Sequence, residues 1–166
     1  MPPQPILILV MGPSGVGKST VGRMLADRLG AEFVDADDHC PTENRDKMSR
    51  GIALTDEDRV GWHRLLNTVS RELLSRDCNV VLACPAHREI HRKTILSGVA
   101  QHRTVYLHGD LDLIRNRVAA RKDHFFPPSL VAHQFSIMEP PSDALWLDVA
   151  RSPDELVAEA MDKLCL

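Results

Sequence analysis

The chain has 166 residues, 43% of them apolar, and a formal charge of −3 from 20 Lys and Arg against 23 Asp and Glu. That length fits a single domain, residues 1–166, with a substantial core, and its scattered basic residues form no platform for nucleic acid. The apolar run Ile6 to Met11 is far short of the roughly 20 residues of a membrane helix, and the four cysteines, Cys40, Cys78, Cys84 and Cys165, form no CxxC pair; a cytoplasmic protein with reduced thiols, no membrane and a small-molecule partner is expected.

Ile6 to Met11 is also the first of five β-rich runs. It leads into Gly12, Gly17, Lys18 and Ser19, which fit the G-x-x-x-x-G-K-[ST] spacing. Glycines there let the backbone curl so that successive N–H groups face a β-phosphate, while Lys18 reaches the β and γ oxygens and the Ser19 hydroxyl ligates Mg²⁺. A helix beginning near Lys18 adds its positive dipole end. Gly12, Ser14, Gly15, Val16, Gly17, Lys18, Ser19 and Thr20 are therefore the expected nucleotide-binding residues, with Mg²⁺ beside the nucleotide.

The second run, Glu32 to Asp35, delivers Asp35, Asp37 and Asp38 to the carboxyl edge of the predicted sheet, where doubly wound folds bind ligands. In phosphoryl transfer one carboxylate can hold a Mg²⁺-bound water, here Asp35, while another takes or orients the alcohol proton, here Asp37. Ideal strand alternation would point both to one face, so the two roles require a local geometry that departs from it. The alternative is an acidic turn that caps the next helix.

Residues 37–61 are polar with one proline and resist assignment. Asp58-Arg59-Val60-Gly61 matches the D-x-x-G of GTPases but opens a helical pattern instead of following a strand, and no N-K-x-D accompanies it. Trp62, Leu65, Leu66, Val69 and Leu73 then fall at helical spacing, followed by strands at Val80 to Cys84 and Thr104 to His108, and a helix through Leu111, Ile114 and Val118. A second excursion, about 121–140, carries Pro127, Pro128 and Pro140. Leu145 to Val149 is the fifth strand, and Ser152, Pro153 and Glu155 form the cap and first turn of a last helix through Leu156, Val157, Ala160, Met161 and Leu164. Alternating β and α of this size predict an α/β fold: a doubly wound five-stranded parallel sheet with helices on both faces. The two excursions are candidates for a substrate-binding arm and a lid.

The stretches MGPSGVGKSTVGRMLADRLG, FVDADDHCPTENRDKMSRGIALTDEDRVGW and VYLHGDLDLIRNRVAARKDHFFPPSLVAHQFSIMEPP together resemble the small P-loop gluconate kinases, relatives of shikimate and nucleoside monophosphate kinases. Asn44, Lys47 and Met48, then Gly51, Leu54, Asp56, Asp58, Arg59 and Trp62, then His124-Phe125 and Gln134-Phe135 carry it most specifically. The resemblance implies the P-loop NTPase fold and ATP-dependent phosphorylation of D-gluconate at its 6-hydroxyl, giving 6-phosphogluconate for the pentose phosphate pathway. Such an acceptor needs a cation for its carboxylate and a carboxylate near its alcohol. Lys47, Arg59, Arg88 and Arg92 are candidates for the first and Asp37 for the second. Arg117 and Arg121, four apart on one helix face, are placed to close over phosphates, with Arg121 the stronger candidate for a catalytic role beside Lys18 and Asp37. The resemblance further implies that residues 148–153, ending at Pro153, wall the adenine, and it allows a homodimer.

The chain departs from the family pattern in places. Cys-Pro-Ala-His-Arg at 84–88 stands where the family usually reads Cys-Ser-Ala-Leu-Lys, His91 stands for a Tyr, Cys40 for a His and Ser136 for a Glu. These changes are expected to gather around the acceptor and leave the nucleotide half intact. A kinase for another sugar or hydroxy acid, or a nucleotide-binding regulator without kinase activity, are the alternatives.

Overall fold

The computed structural model describes residues 3–122 and 126–164. Its sheet has five parallel strands in the order β2-β3-β1-β4-β5, with β1 at Leu7–Met11, β2 at Glu32–Asp35, β3 at Val80–Ala83, β4 at His102–His108 and β5 at Leu145–Asp148. The central strand β1 is buried at every position, as a strand covered on both faces must be. Each such aliphatic side chain contributes about 1.5–3 kcal/mol of burial. All five predicted strands are present to within two residues at their ends.

Among the described residues seven α-helices accompany them: α1 (Lys18–Leu29), α2 (Thr42–Ser49), α3 (Asp56–Leu74), α4 (Glu89–Leu96), α5 (Leu111–Ala120), α6 (Val131–Ile137) and α7 (Pro153–Lys163). Helix α7 opens as expected, with Ser152 and Glu155 in a reciprocal capping box and Pro153 in the first turn. Helix α3 opens on a second capping box between Thr55 and Asp58, so the D-x-x-G match is a helix start. The candidate arm, 37–61, contains α2 and the start of α3; among the described residues of the candidate lid, 121–140, lie a short 3₁₀ turn and α6.

One expectation about the core is corrected. Leu65 does not face inward: it is 43% exposed. The buried stripe of α3 runs Arg59, Trp62, His63, Leu66 and Ser70, a helical repeat whose polar members an apolar-period search passes over. Among the described residues no helix is long and apolar enough to cross a membrane. Cys40, Cys78 and Cys84 are free thiols, and burial pushes Cys84 up to about 12.

Candidate active site

The loop between β1 and α1 curls against the sheet. A Cβ at Gly12 would lie 2.5 Å from the Leu107 carbonyl oxygen, and Gly12 and Gly17 have φ of 145° and 95°. Only glycine fits the first of these, and the second turns the chain into α1 with nothing within 4 Å of where a side chain would project. No side chain caps the α1 N-terminus, so its first N–H groups stay uncommitted and its dipole end faces a cavity of about 250 Å³. Ser14, Gly15, Gly17, Lys18, Ser19, Thr20, Asp35, Asp37 and Arg121 line that space. Gly12 and Val16 lie beneath it, both buried.

Lys18 Nζ donates to the Pro13 carbonyl at 2.9 Å. Desolvation lowers its pKa, while Asp37, and more weakly Asp35, hold it up. Ser19 Oγ donates to Asp35 Oδ2 at 2.5 Å, and Asp35 Oδ1 accepts from Asp37 N at 2.9 Å. The chain turns sharply after β2 into a 3₁₀ turn at Ala36–His39 capped by Asp35. Asp35 thus caps a turn, and that turn follows directly on the strand that carries Asp35 and holds Asp37.

A second cavity, of about 30 Å³, adjoins the first, and Ser14, Asp37 and Pro85 line both. The arm supplies Met48, Ala53 and Leu54, helix α3 supplies Arg59, Trp62 and His63, the β3–α4 loop supplies Ala86 and His87, and the lid supplies Phe126, Leu130, His133 and Gln134. Hydrogen bonds fix the arm: Trp62 Nε1 to the Ala36 carbonyl at 2.9 Å, Asn44 Nδ2 to the Asp58 carbonyl at 2.8 Å, and Lys47 Nζ to Asp58 Oδ1 at 2.8 Å. Gln134 reaches from the lid to accept from Ser14 N at 2.7 Å.

The candidate cations separate on this geometry. Arg59 alone of the four lines the second cavity. It is 7% exposed, and its guanidinium has no hydrogen bond or ion pair with any described residue. Lys47 pairs with Asp58. Arg88 pairs with Asp56 and Glu139, and Arg92 donates to the carbonyls of Ala86, His87 and Glu139. Arg117 donates to the Val149 carbonyl at 2.8 Å, which ties α5 to the 148–153 loop that ends at Pro153. His124 and Phe125 lie outside the described residues.

The departures are less clustered than expected. Pro85 and His87 wall the second cavity, and His91 lies behind it, its ring 6.4 Å from that of His87. Cys40 and Ser136 do not line it: Cys40 contacts the Pro41 carbonyl and Ser136 Oγ donates to the His133 carbonyl. Cys40 closes the 3₁₀ turn after β2, and Ser136 lies in the last turn of α6. Sequence reasoning missed His63, whose only signal is its place beside Trp62 on the buried stripe of α3.

A family model described as shikimate kinase matches residues 14–138. Over nearly the whole length, the chain is 39% identical to a probable gluconokinase of Mus musculus, across 96% of this chain and 98% of that one. The chain belongs to the gluconokinase family. Solved structures agree with this placement. A gluconokinase from Sinorhizobium meliloti 1021 superposes with a TM-score of 0.84 at 36% identity, covering 98% of this chain and 93% of that one. An unliganded sugar kinase from Janibacter sp. HTCC2649 superposes with a TM-score of 0.89 at 31% identity, covering 98% and 95%.

Proposed function

We propose that this protein transfers the γ-phosphoryl group of ATP to the 6-hydroxyl of D-gluconate. The observation that carries the reading is the meeting of the two cavities at Asp37, with the uncommitted Arg59 guanidinium in the wall of the second. Phosphate cradle, proton acceptor and carboxylate anchor then lie along one path, the arrangement an acid with a terminal alcohol requires.

The residues present fit MgATP. The open glycine backbone and the uncapped α1 N-terminus provide N–H donors for phosphate oxygens. Ser19 and Asp35 are hard oxygen donors already in contact, and Mg²⁺ sites of this kind use few protein ligands because phosphates and waters complete them. When bound, MgATP supplies the transferable phosphoryl group and part of its charge neutralisation. Lys18 and Arg121 stabilise the charge that spreads over the transferring oxygens. Asp37 accepts the proton of the attacking hydroxyl and orients it for in-line attack. Arg59 holds the carboxylate at the other end of the acceptor. Lys47, Arg88 and Arg92 support this wall through Asp58, Asp56 and the loop carbonyls. Arg117, by holding the Val149 carbonyl, shapes the loop that receives the adenine.

The test is an ATP-consumption assay on the purified chain across C5 to C7 aldonates, shikimate and nucleoside monophosphates, with the product's phosphate located by ³¹P NMR. Selective use of gluconate with a primary phosphate ester is expected. Transfer to another acceptor in its place, or ATP hydrolysis alone, would overturn the reading.

A further inference from the structure

Three polar side chains in the acceptor wall are almost wholly buried, Arg59 at 7%, His63 at 4% and His87 at 2% exposure, and none hydrogen-bonds through its side chain to any described residue. His87 Nε2 is fully enclosed and unpaired. A buried polar atom without a partner costs about 1–3 kcal/mol, and such atoms in native proteins mark strain, a missing water or a ligand's place.

The loop that carries His87 is held as if its direction matters. Ala86, preceding it, has φ of 46°, a left-handed conformation that a residue with a Cβ adopts at a cost. Three contacts impose it. Arg92 Nη1 donates to the Ala86 carbonyl at 2.8 Å and to the His87 carbonyl at 3.3 Å, and Glu139 N donates to the His87 carbonyl at 2.8 Å. Glu139 also pairs with Arg88, so the end of the lid and the first turn of α4 together brace the loop. His63 reaches the same cavity from α3.

Both rings are neutral. Burial and the nearby charges of Arg59, Lys18, His91 and His63 hold His87 well below the usual imidazole range, and burial, with His91 and Arg59, takes His63 to about 3. A neutral imidazole offers one N–H and one lone pair. An alcohol both donates and accepts, so it satisfies either ring nitrogen in either tautomer. An anionic oxygen only accepts, and it has Arg59.

We propose that His63 and His87 are specificity-determining residues that exchange hydrogen bonds with hydroxyls along the acceptor's carbon chain, between the carboxylate at Arg59 and the reacting alcohol at Asp37. The proposal rests on the second cavity being the acceptor site. It makes the wall selective for a polyhydroxylated acid over a deoxygenated one of equal length and charge.

The experiment is steady-state kinetics of the full chain at saturating ATP, with gluconate and with its 2-, 3- and 4-deoxy analogues, for the unmodified protein and for His63→Leu, His87→Leu and His87→Gln. Each Leu variant is expected to raise KM for gluconate about two- to tenfold, the worth of one hydrogen bond, with kcat within about twofold and KM for ATP unchanged. The deoxy analogue lacking the hydroxyl that His87 reads should be a poorer substrate for the unmodified protein, yet no poorer than gluconate for His87→Leu. His87→Gln, which keeps a hydrogen-bonding group, should recover part of the discrimination. Leu variants that rank the deoxy acids as the unmodified protein does would overturn the proposal, whatever their melting temperature, and so would a folded His87→Gln with no discrimination when His87→Leu fails to fold. If the protein uses another acid in place of gluconate, the proposed function falls, and the same comparison with that acid's deoxy analogues decides the histidines. Transfer to no acid at all overturns both.

Discussion

The cavity at the glycine-rich loop, proposed to take phosphates, and the cavity beside it, proposed to take the acceptor, share Ser14, Asp37 and Pro85, yet they are built from different materials. The first is made mainly of backbone, the curled loop from Gly12 to Gly17 and the open end of α1, with a few side chains, Asp35, Asp37 and Arg121 among them, reaching it from other elements. The second is made of side chains from α3, the β3–α4 loop, the arm and the lid. A backbone site tolerates changes around it because its donors are present in every residue. A side-chain site changes its ligand when a single residue changes, and that is where Pro85, His63 and His87 stand.

The largest effects should therefore fall on the shared chemistry. Lys18→Met is expected to lower kcat by about 10²-fold or more by removing a preorganised charge from the transferring group, with the circular dichroism spectrum unchanged; turnover near normal would move the phosphoryl group away from this loop. Asp37→Asn should lower kcat by about 10²-fold or more while leaving the affinity for ATP, measured by calorimetry, close to that of the unmodified protein. A parallel loss of ATP binding would place Asp37 on the nucleotide side alone and dissolve the distinction between the two cavities.

Arg59→Met should act on the acceptor side only. A charge-assisted hydrogen bond contributes about 1.5–3 kcal/mol, so kcat/KM for gluconate should fall by about 10- to 100-fold with KM for ATP unaffected. Arg88→Gln is the matched control: its partners are Asp56 and Glu139, so it should cost less. An Arg88 effect larger than that of Arg59 would reverse the assignment of the carboxylate anchor.

Acid stability separates the halves in another way. His63 titrates at about 3 in the folded protein against 6.5 for an unhindered imidazole, through burial first and then the charges of His91 and Arg59, opposed by Asp56. The unfolded chain thus binds the proton more readily, and the stability associated with the neutral buried ring is complete above pH 6.5 and is lost as pH falls toward 3, by up to about 1.4 kcal/mol per pH unit. Urea unfolding of His63→Leu should show a shallower fall in stability between pH 7 and 5 than the unmodified protein. An unchanged slope would mean that the ring is protonated when folded.

The smallest expected effect is that of Cys40→His. Cys40 lines neither cavity, and a substitution away from such features stays within about 0.5 kcal/mol, so kinetic constants for both substrates should move by no more than about twofold. A larger shift in KM for gluconate would extend the acceptor wall to the 3₁₀ turn.

The sequence by itself determined the sheet, the phosphate loop and the family. Continuous apolar runs are the direct signature of strands covered on both faces, and the glycines, Lys18 and Ser19 of the loop act at fixed spacing within eight residues, so their chemistry is local. A departure from ideal strand alternation at Asp35 and Asp37 was legible as a requirement, and the 3₁₀ turn is the way the chain meets it. Tertiary structure decided the rest. Lys47, Arg59, Arg88 and Arg92 carry equivalent charges in the sequence, and only packing distinguishes the one with an uncommitted guanidinium from those already satisfied by Asp58, Asp56, Glu139 and the loop carbonyls. Leu65 reads as core and His63 as surface when hydrophobicity alone is followed along α3, yet the helix is rotated so that Arg59 and His63 face inward. The reason is physical: the buried face of α3 covers the sheet only in part, and the remainder lines a cavity whose other walls come from residues far apart in sequence.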